Sequence, residues 1–354
     1  MADSRDKRLT TGLLAWYDGS KRDLPWRRSQ QPYSIWISEI MAQQTRISAL
    51  LPYYERFMRQ FPDARALAEA DEDTVMKAWE GLGYYSRARN LHKAAKIILE
   101  KYGGILPEGE PELLALPGIG AYTAGAIRSI AFGKPEPAVD GNVLRVFSRI
   151  ENSNVDIATN NAKTAARQFV ARLMPAERTG CFTQALMELG ALVCLPKNPL
   201  CGECPVRLDC MAAEEGVQCA LPVKRAAKPQ RHSNQTVLLV RNEDGRLLMR
   251  RRTQKLLSGL WEYCVEPELA ETDIPDSLSG LGLTAEEIRP LGASQHVFTH
   301  MIWHMTGYFC AVRGGSEPDG YVFADREEYA AMAVPTAFRK YTGWLKQEWF
   351  ESGG

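Results

Sequence analysis

Two periodicities divide this chain of 354 residues. Up to residue 134, apolar side chains recur at helical spacing, and no run alternates for long enough to build a sheet. That stretch is predicted to be all-helical. Residues 9–17 form the first helix, which Leu24-Pro25-Trp26-Arg27-Arg28 breaks. Ser34 is the predicted N-cap of a second helix over 35–45, and amphipathic helices follow over 48–60 and 64–80. Residues 113–116 close a short helix. Pro117-Gly118-Ile119-Gly120 cannot continue it, because proline lacks an N–H and glycine readily takes positive φ; a new helix starts at Ala121. Further on the pattern changes. Residues 236–240, 247–249 and 297 onward through 312 are short β-rich runs, broken by Asp244-Gly245 and Gly314-Gly315. They predict a separate α+β domain. Residues 221–232, with prolines, basic side chains and little to bury, read as the linker between the two regions.

The length allows two or more domains with real cores, and 45% hydrophobic with 24% charged residues is ordinary for a globular protein. No stretch approaches the ~18 apolar residues of a membrane span, and the N-terminus carries no secretory core, so an intracellular protein is expected. Net charge is zero. It divides into +1 over residues 1–220, +4 over 221–232 and −5 over 233–354, so any affinity for nucleic acid must come from local placement of charge.

Five groups of residues carry candidate chemistry. Gly118 and Gly120 leave the N–H groups of a turn bare beside a helix N-terminus, which suits a phosphate. Asp140 follows twenty residues after Gly120, in Val139-Asp140-Gly141-Asn142, where a carboxylate could stabilise positive charge on a sugar; an ordinary glycine turn with a capping aspartate stays open. Glu39 shares a helix face with Ile35, Trp36 and Gln43, and apolar neighbours raise a carboxyl pKa toward that of a general acid. A second glycine turn, Gly81-Leu82-Gly83-Tyr84-Tyr85, runs into a helix bearing Arg87 and Arg89, where aromatics can wedge between bases and arginines can reach phosphates. Finally, Cys194, Cys201, Cys204 and Cys210 lie in one compact loop with a single close pair, rather than in the two separated pairs usual for zinc. The spacing leaves an iron–sulfur cluster and a zinc site both open, and a disulfide set is the weakest reading. Cys181, Cys219, Cys264 and Cys310 stand in no motif.

Leu116-Pro117-Gly118-Ile119-Gly120 with Val139-Asp140-Gly141-Asn142 resembles the helix-hairpin-helix DNA glycosylases. Leu24-Pro25-Trp26 and Ser38-Glu39-Ile40-Met41-Ala42-Gln43-Gln44-Thr45 resemble their adenine-excising branch, the MutY family, and the cysteine spacing is the one that family uses for a [4Fe-4S] cluster. Beyond the linker, Leu247 to Arg252 and Leu257 to Glu262 resemble the opening strands of Nudix hydrolases. The acidic metal-binding helix of those enzymes does not follow, since Glu286-Glu287 stands in another context, so this domain is expected to read a base rather than hydrolyse a nucleotide.

The resemblance implies a multidomain chain with an all-α core. Residues 1–28 plus 135–220 would form the iron–sulfur module, 29–134 the six-helix barrel with its hairpin, 221–233 the linker and 234–354 the Nudix-like domain. It implies removal of adenine paired with 8-oxoguanine or guanine in duplex DNA by a monomeric, nucleoid-associated enzyme. The base would flip into a cleft between the helical modules. Glu39 would protonate the adenine, Asp140 would stabilise or attack the sugar, and Tyr122 and Asn142 would orient Asp140 and water. Arg27 and Gln184 would contact the flipped base, Gln44 and Tyr84 would wedge into the duplex, and Gln43 and Arg87 would belong to the DNA- and base-binding surface with Gly118 and Gly120. Phe298, Thr299 and His300, within Gln295 to His300, match the loop that detects 8-oxoguanine, with Thr299 where many members have serine. Three alternatives stand beside this reading: the pyrimidine-damage lyase branch, which has a lysine where this chain has Tyr122; a non-catalytic iron–sulfur protein; and a Nudix hydrolase, which the missing acidic helix excludes.

Overall fold

A computed structural model of the chain describes residues 4–225, 229–314 and 316–351. It divides into two compact units. One comprises residues 1–69 and 90–226, the other residues 70–89 and 227–354.

The helices are α1 (Ser4–Ser20), α2 (Pro32–Ala42), α3 (Ile47–Gln60), α4 (Ala64–Glu69), α5 (Glu72–Ala78), α6 (Ser86–Tyr102), α7 (Glu110–Leu114), α8 (Ala121–Ala131), α9 (Gly141–Ile150), α10 (Asn160–Leu173), α11 (Thr179–Leu192) and α12 (Met211–Glu214). Among the described residues before Arg231 there is no strand. Local chemistry moves some ends. α2 starts at Pro32 rather than after Ser34, because proline suits the first helical position; the Ser34 hydroxyl instead shares a 2.6 Å hydrogen bond with that of Tyr54. The single helix expected over 64–80 is two, since the Asp71 carboxylate accepts the Asp73 N–H at 2.9 Å and caps a fresh start.

In the first unit, α1 contributes Leu9, Leu13 and Tyr17, four residues apart, to a core completed by Val143, Val146 and Phe147 of α9, Phe169 and Val170 of α10, and Phe182, Leu186 and Leu189 of α11. The N-terminal helix therefore packs on elements more than 120 residues away in sequence. Cys194, Cys204 and Cys210 lie against the same core.

The second unit is built on a mixed sheet of β1 (Arg231–Arg241), β2 (Leu247–Arg251), β3 (Trp261–Glu262), β4 (Cys264–Pro267), β5 (Thr284–Val297), β6 (Met301–Arg313) and β7 (Tyr321–Ala324). The strands run in the order β3-β2-β1-β6-β5, with β4 on β1 and β7 on β2. β1 and β6 are parallel over eleven residue pairs, from Arg231↔Met301 to Arg241↔Ala311. Side-chain alternation gives the sheet two buried faces. Val237 and Leu239 face Phe338, Tyr341 and Leu345, while Leu238 and Val240 face Ile274 and Leu278 of helix α13 (Ile274–Gly280). Helices α14 (Arg326–Ala331) and α15 (Arg339–Glu351) close the first face.

Two expected boundaries differ from the structure. Residues 70–89, placed by sequence in the barrel, pack with the sheet domain. Lys77 Nζ donates to the Met332 carbonyl at 2.8 Å, Glu80 accepts the Val334 N–H at 3.0 Å, and Arg251 pairs with Asp73. Polar side chains of α5 and the turn after it thus satisfy backbone groups of the sheet domain, which hydropathy cannot reveal. The expected linker 221–233 is shorter at both ends. Leu221 is buried, the Val223 carbonyl accepts the Ile157 N–H at 3.1 Å, and β1 is already running at Arg231. Residues 226–228, including Lys228, lie outside the described residues. Sequence patterning also missed β5, whose exposed and bulged course hides its alternation. Glu286 and Glu287 lie on that strand, where Glu286 pairs with Arg313 at 2.5 Å.

Candidate active site

The hairpin expected over 113–121 is formed by α7 and α8. Gly118 has φ +82, and a Cβ there would lie 2.9 Å from the Asn90 Cβ, so both conformation and space demand glycine. Gly120 caps α8 with ordinary extended backbone, and a Cβ there would meet nothing. No protein contact requires glycine at 120, which leaves the helix N-terminus bare for a ligand's close approach.

Glu39, Gln43, Gln44, Tyr122, Asp140, Asn142, Arg27 and Gln184 line one pocket of about 900 Å³ in the first unit, large enough for a nucleoside. Glu39 is buried on α2, and the Tyr122 hydroxyl donates to its Oε2 at 2.5 Å. Burial pushes its carboxyl up and nearby Asp140 adds to this, against the lowering effect of the Tyr122 bond; the balance is about 7. Asp140 is the N-cap of α9. Its Oδ1 accepts the Val143 N–H at 2.7 Å and its Oδ2 accepts Asn142 Nδ2 at 2.9 Å. Burial raises its pKa above the usual carboxylate value despite those bonds. The aspartate is therefore both a cap and a group held in a fixed direction. Behind it, Asn142 Oδ1 accepts Arg145 Nη2 at 2.9 Å, and Arg145 Nε reaches the Cys194 carbonyl at 2.7 Å.

Some expected partners differ. Tyr122 bonds Glu39, not Asp140, because its place on α8 sets its hydroxyl against α2; Asn142 alone of the pair orients Asp140. The Arg27 guanidinium is committed to protein groups. It donates to Glu188 at 2.8 and 3.0 Å, to Gln184 Oε1 at 3.0 Å and to the Arg22 carbonyl at 3.1 Å. Gln184 Oε1 also accepts the Tyr17 hydroxyl at 3.1 Å. Glu188, which sequence reasoning missed, is 1% exposed; burial alone would raise its pKa, but bonds from Arg22 and Arg27 hold it at about 2. Its one sequence signal is that it is the lone charge in the apolar helix α11. Gln43 Nε2 donates to Thr123 Oγ1 at 3.3 Å, and Gln44 beside it takes φ +59.

In the second unit Tyr84, Phe298, Thr299 and His300 line a common pocket with Arg89, Lys255 and Leu257. The hydroxyls of Tyr84 and Thr299 lie 3.1 Å apart, and Phe298 sits edge-on to both His296 and Trp303. Tyr84 is half exposed at φ +48, a left-handed conformation that a bulky residue seldom adopts away from functional sites. Arg87 does not reach outward as expected. It stacks on Trp79 and Tyr84 and donates to the Leu82 and Gly83 carbonyls at 3.2 Å, and burial depresses it to about 10. It braces the turn that presents Tyr84.

Cys194, Cys201, Cys204 and Cys210 line a third, small cavity walled by Val146, Ile150, Leu189 and Val206. Arg149 Nη1 lies 3.2 Å from Cys194 Sγ, and burial, reinforced by the neighbouring thiols, pushes Cys204 up to about 12. Among the described residues no three His, Cys, Asp or Glu side chains are arranged to hold a single metal ion. The four thiols instead surround a shared apolar space beside a guanidinium.

Residues 37–172 match the model of the HhH-GPD superfamily of base excision DNA repair proteins, and residues 236–343 match that of the NUDIX domain. The chain is 34% identical to the adenine DNA glycosylase of Homo sapiens over 93% of its own length and 72% of that protein. It is 32% identical to that of Buchnera aphidicola subsp. Baizongia pistaciae (strain Bp) over 82% of each. A solved structure of a thermostable thymine-DNA glycosylase superposes on 60% of this chain and 97% of its own, with a TM-score of 0.55 and 27% identity.

Proposed function

This chain belongs to the adenine DNA glycosylase family of the HhH-GPD superfamily, and we propose from that premise that it removes adenine mispaired with 8-oxoguanine or guanine in duplex DNA. It would act as a monomer and hydrolyse the N-glycosidic bond to leave an abasic site. The observation that carries this reading is the pair of carboxyls in one nucleoside-sized pocket, with buried Glu39 tuned to about 7 and half-buried Asp140 locked as a helix cap.

Near neutral pH a large fraction of Glu39 keeps its proton, and Tyr122 fixes the carboxyl from one side. Glu39 then protonates the extruded adenine, which becomes a leaving group. As the bond breaks, positive charge grows on the sugar. Asp140, held by Val143 N–H and Asn142, offers a negative oxygen in a fixed direction, as the second carboxylate does in glycoside hydrolysis. A lyase needs an amine at this point to form a Schiff base, and the Tyr122 phenol cannot supply one. Arg27, braced by Glu188, and Gln184 form the wall facing the base. The bare N-terminus of α8 would hold a phosphate. Gln44 and Tyr84, both in left-handed conformations, would enter the duplex.

Cys194, Cys201, Cys204 and Cys210 fit one [4Fe-4S] cluster, because four thiols share one apolar cavity beside the Arg149 cation, which suits thiolates and the negative charge they carry. When bound, that cluster closes the loop as a structural centre. The pocket of Tyr84, Phe298 and Thr299 would read the base opposite the adenine, with the Thr299 hydroxyl as its polar reporter.

The test is single-turnover excision by the purified protein on duplexes with adenine opposite 8-oxoguanine, guanine or thymine, with borohydride present in a parallel reaction. Adenine release from the first two, without a trapped protein–DNA adduct, is expected. Thr299→Ala should erode the preference for 8-oxoguanine over guanine by less than ~tenfold, about the worth of one hydrogen bond. Release of a pyrimidine, or a stoichiometric adduct, would assign the chain to the lyase branch.

A further inference from the structure

The chain does not leave the first unit when helical patterning ends. Leu221 is buried, and its carbonyl accepts Arg149 Nε at 3.1 Å. Two residues on, the Val223 carbonyl accepts the Ile157 N–H at 3.1 Å. Arg149 is itself 2% exposed and also bonds the Leu195 carbonyl at 2.7 Å and the Pro196 carbonyl at 3.3 Å. Residues 221–223 are thus stitched to the catalytic unit by backbone hydrogen bonds on both sides, one of them from a fully buried guanidinium. Such anchoring is not what a flexible connector needs.

Its consequence is the position of the next residue. Lys224 lies on the rim of the pocket that holds Glu39 and Asp140, with Pro196, Pro222 and Ile157 also in the lining. Its side chain is exposed, and no carboxylate lies within ion-pair distance of it among the described residues; nearby Asp156 is matched with Arg225 at 3.8 Å. An unneutralised ammonium, fixed at the mouth of a nucleoside-sized pocket, is placed for the group that accompanies every nucleotide drawn in from a strand. That group is the phosphodiester flanking it.

We propose that Lys224 is a phosphate-binding residue of the active-site rim, delivered there by the anchored 221–223 segment. The inference rests on the reading of the pocket as the seat of an extruded nucleotide. It makes the start of the apparent linker a working part of the catalytic unit.

Its test is the salt dependence of binding by the full-length protein to a duplex with one adenine opposite 8-oxoguanine, under conditions where the base is not released. Lys224→Ala should weaken binding severalfold at low salt and reduce the slope of log K against log salt by about 0.9, the release expected for one phosphate contact. Lys224→Arg should restore the slope. Lys346→Ala, on α15, removes the same charge from another surface and should leave the slope as in the unaltered protein. Excision at saturating enzyme should likewise change less than twofold in Lys346→Ala. A slope for Lys224→Ala equal to that of Lys346→Ala overturns the proposal while the unaltered protein still excises adenine. An unaltered protein that neither binds nor excises would instead overturn the reading of the pocket.

Discussion

Two buried glutamates line the same pocket and are driven in opposite directions. Glu39, on the α2 wall, receives one neutral hydroxyl from Tyr122 and stays near 7. Glu188, on the α11 wall, is buried as well but accepts N–H groups from two arginines, and falls to about 2. Burial alone therefore predicts neither value. A carboxyl removed from water rises until enough donors, especially charged ones, are aimed at it. The first wall keeps a proton available for transfer, while the second stores a permanent negative charge that fixes Arg22 and Arg27. One wall is the proposed chemical one and the other is a brace.

Three experiments sharpen this contrast. The largest effect should come from the chemical wall. Glu39→Gln and Asp140→Asn preserve shape and should each lower single-turnover excision by ~10²–10⁴-fold while duplex binding persists. Near-normal excision by either variant would remove the assignment. The brace should fail differently. Glu188→Gln leaves two guanidinium groups short of their counter-charge and should cost about 2 kcal/mol of stability, seen as a thermal midpoint lower by several degrees, with a smaller effect on excision than Glu39→Gln. A drop in excision as deep as that of Glu39→Gln, with an unchanged midpoint, would place Glu188 in the chemistry.

The smallest change tests the tuning itself. As pH rises through about 7, Glu39 loses the proton it must donate, so excision should fall on the alkaline side. On the acid side it should fall as Asp140 is protonated, beginning above the usual carboxylate range because burial raises that group. Tyr122→Phe removes a bond that lowers the Glu39 pKa. Its alkaline limb should move to higher pH, with a rate change on the order of tenfold or less. An alkaline limb that stays in place would mean that another group sets it.

Much of this was legible without coordinates, for identifiable reasons. Helical spacing before residue 134, the proline–glycine break at 117–120 and the β-rich runs after 236 follow from local backbone chemistry, so they announced the helices, the hairpin and the sheet domain. Glu39 could be singled out because its i−4 and i−3 neighbours are apolar. The four cysteines could be grouped because they fall within one short loop.

What local chemistry could not reach was decided by contacts across long separations. The brace joins Arg22 and Arg27 to Glu188, more than 160 residues apart, and spends the Arg27 donors that sequence reading had assigned to a base. The place of Tyr122 against Glu39 rather than Asp140 depends on how α8 packs on α2. The assignment of residues 70–89 to the sheet domain rests on Lys77 and Glu80 meeting the backbone near residues 332–334. By itself the sequence singled out the candidates for acid, metal-ligating and turn chemistry, because those are properties of side chains and near neighbours. Only the tertiary structure decided which of them share a pocket, which proton each holds and which charges are already spent, because desolvation and hydrogen bonding depend on what the fold brings within about 3 Å.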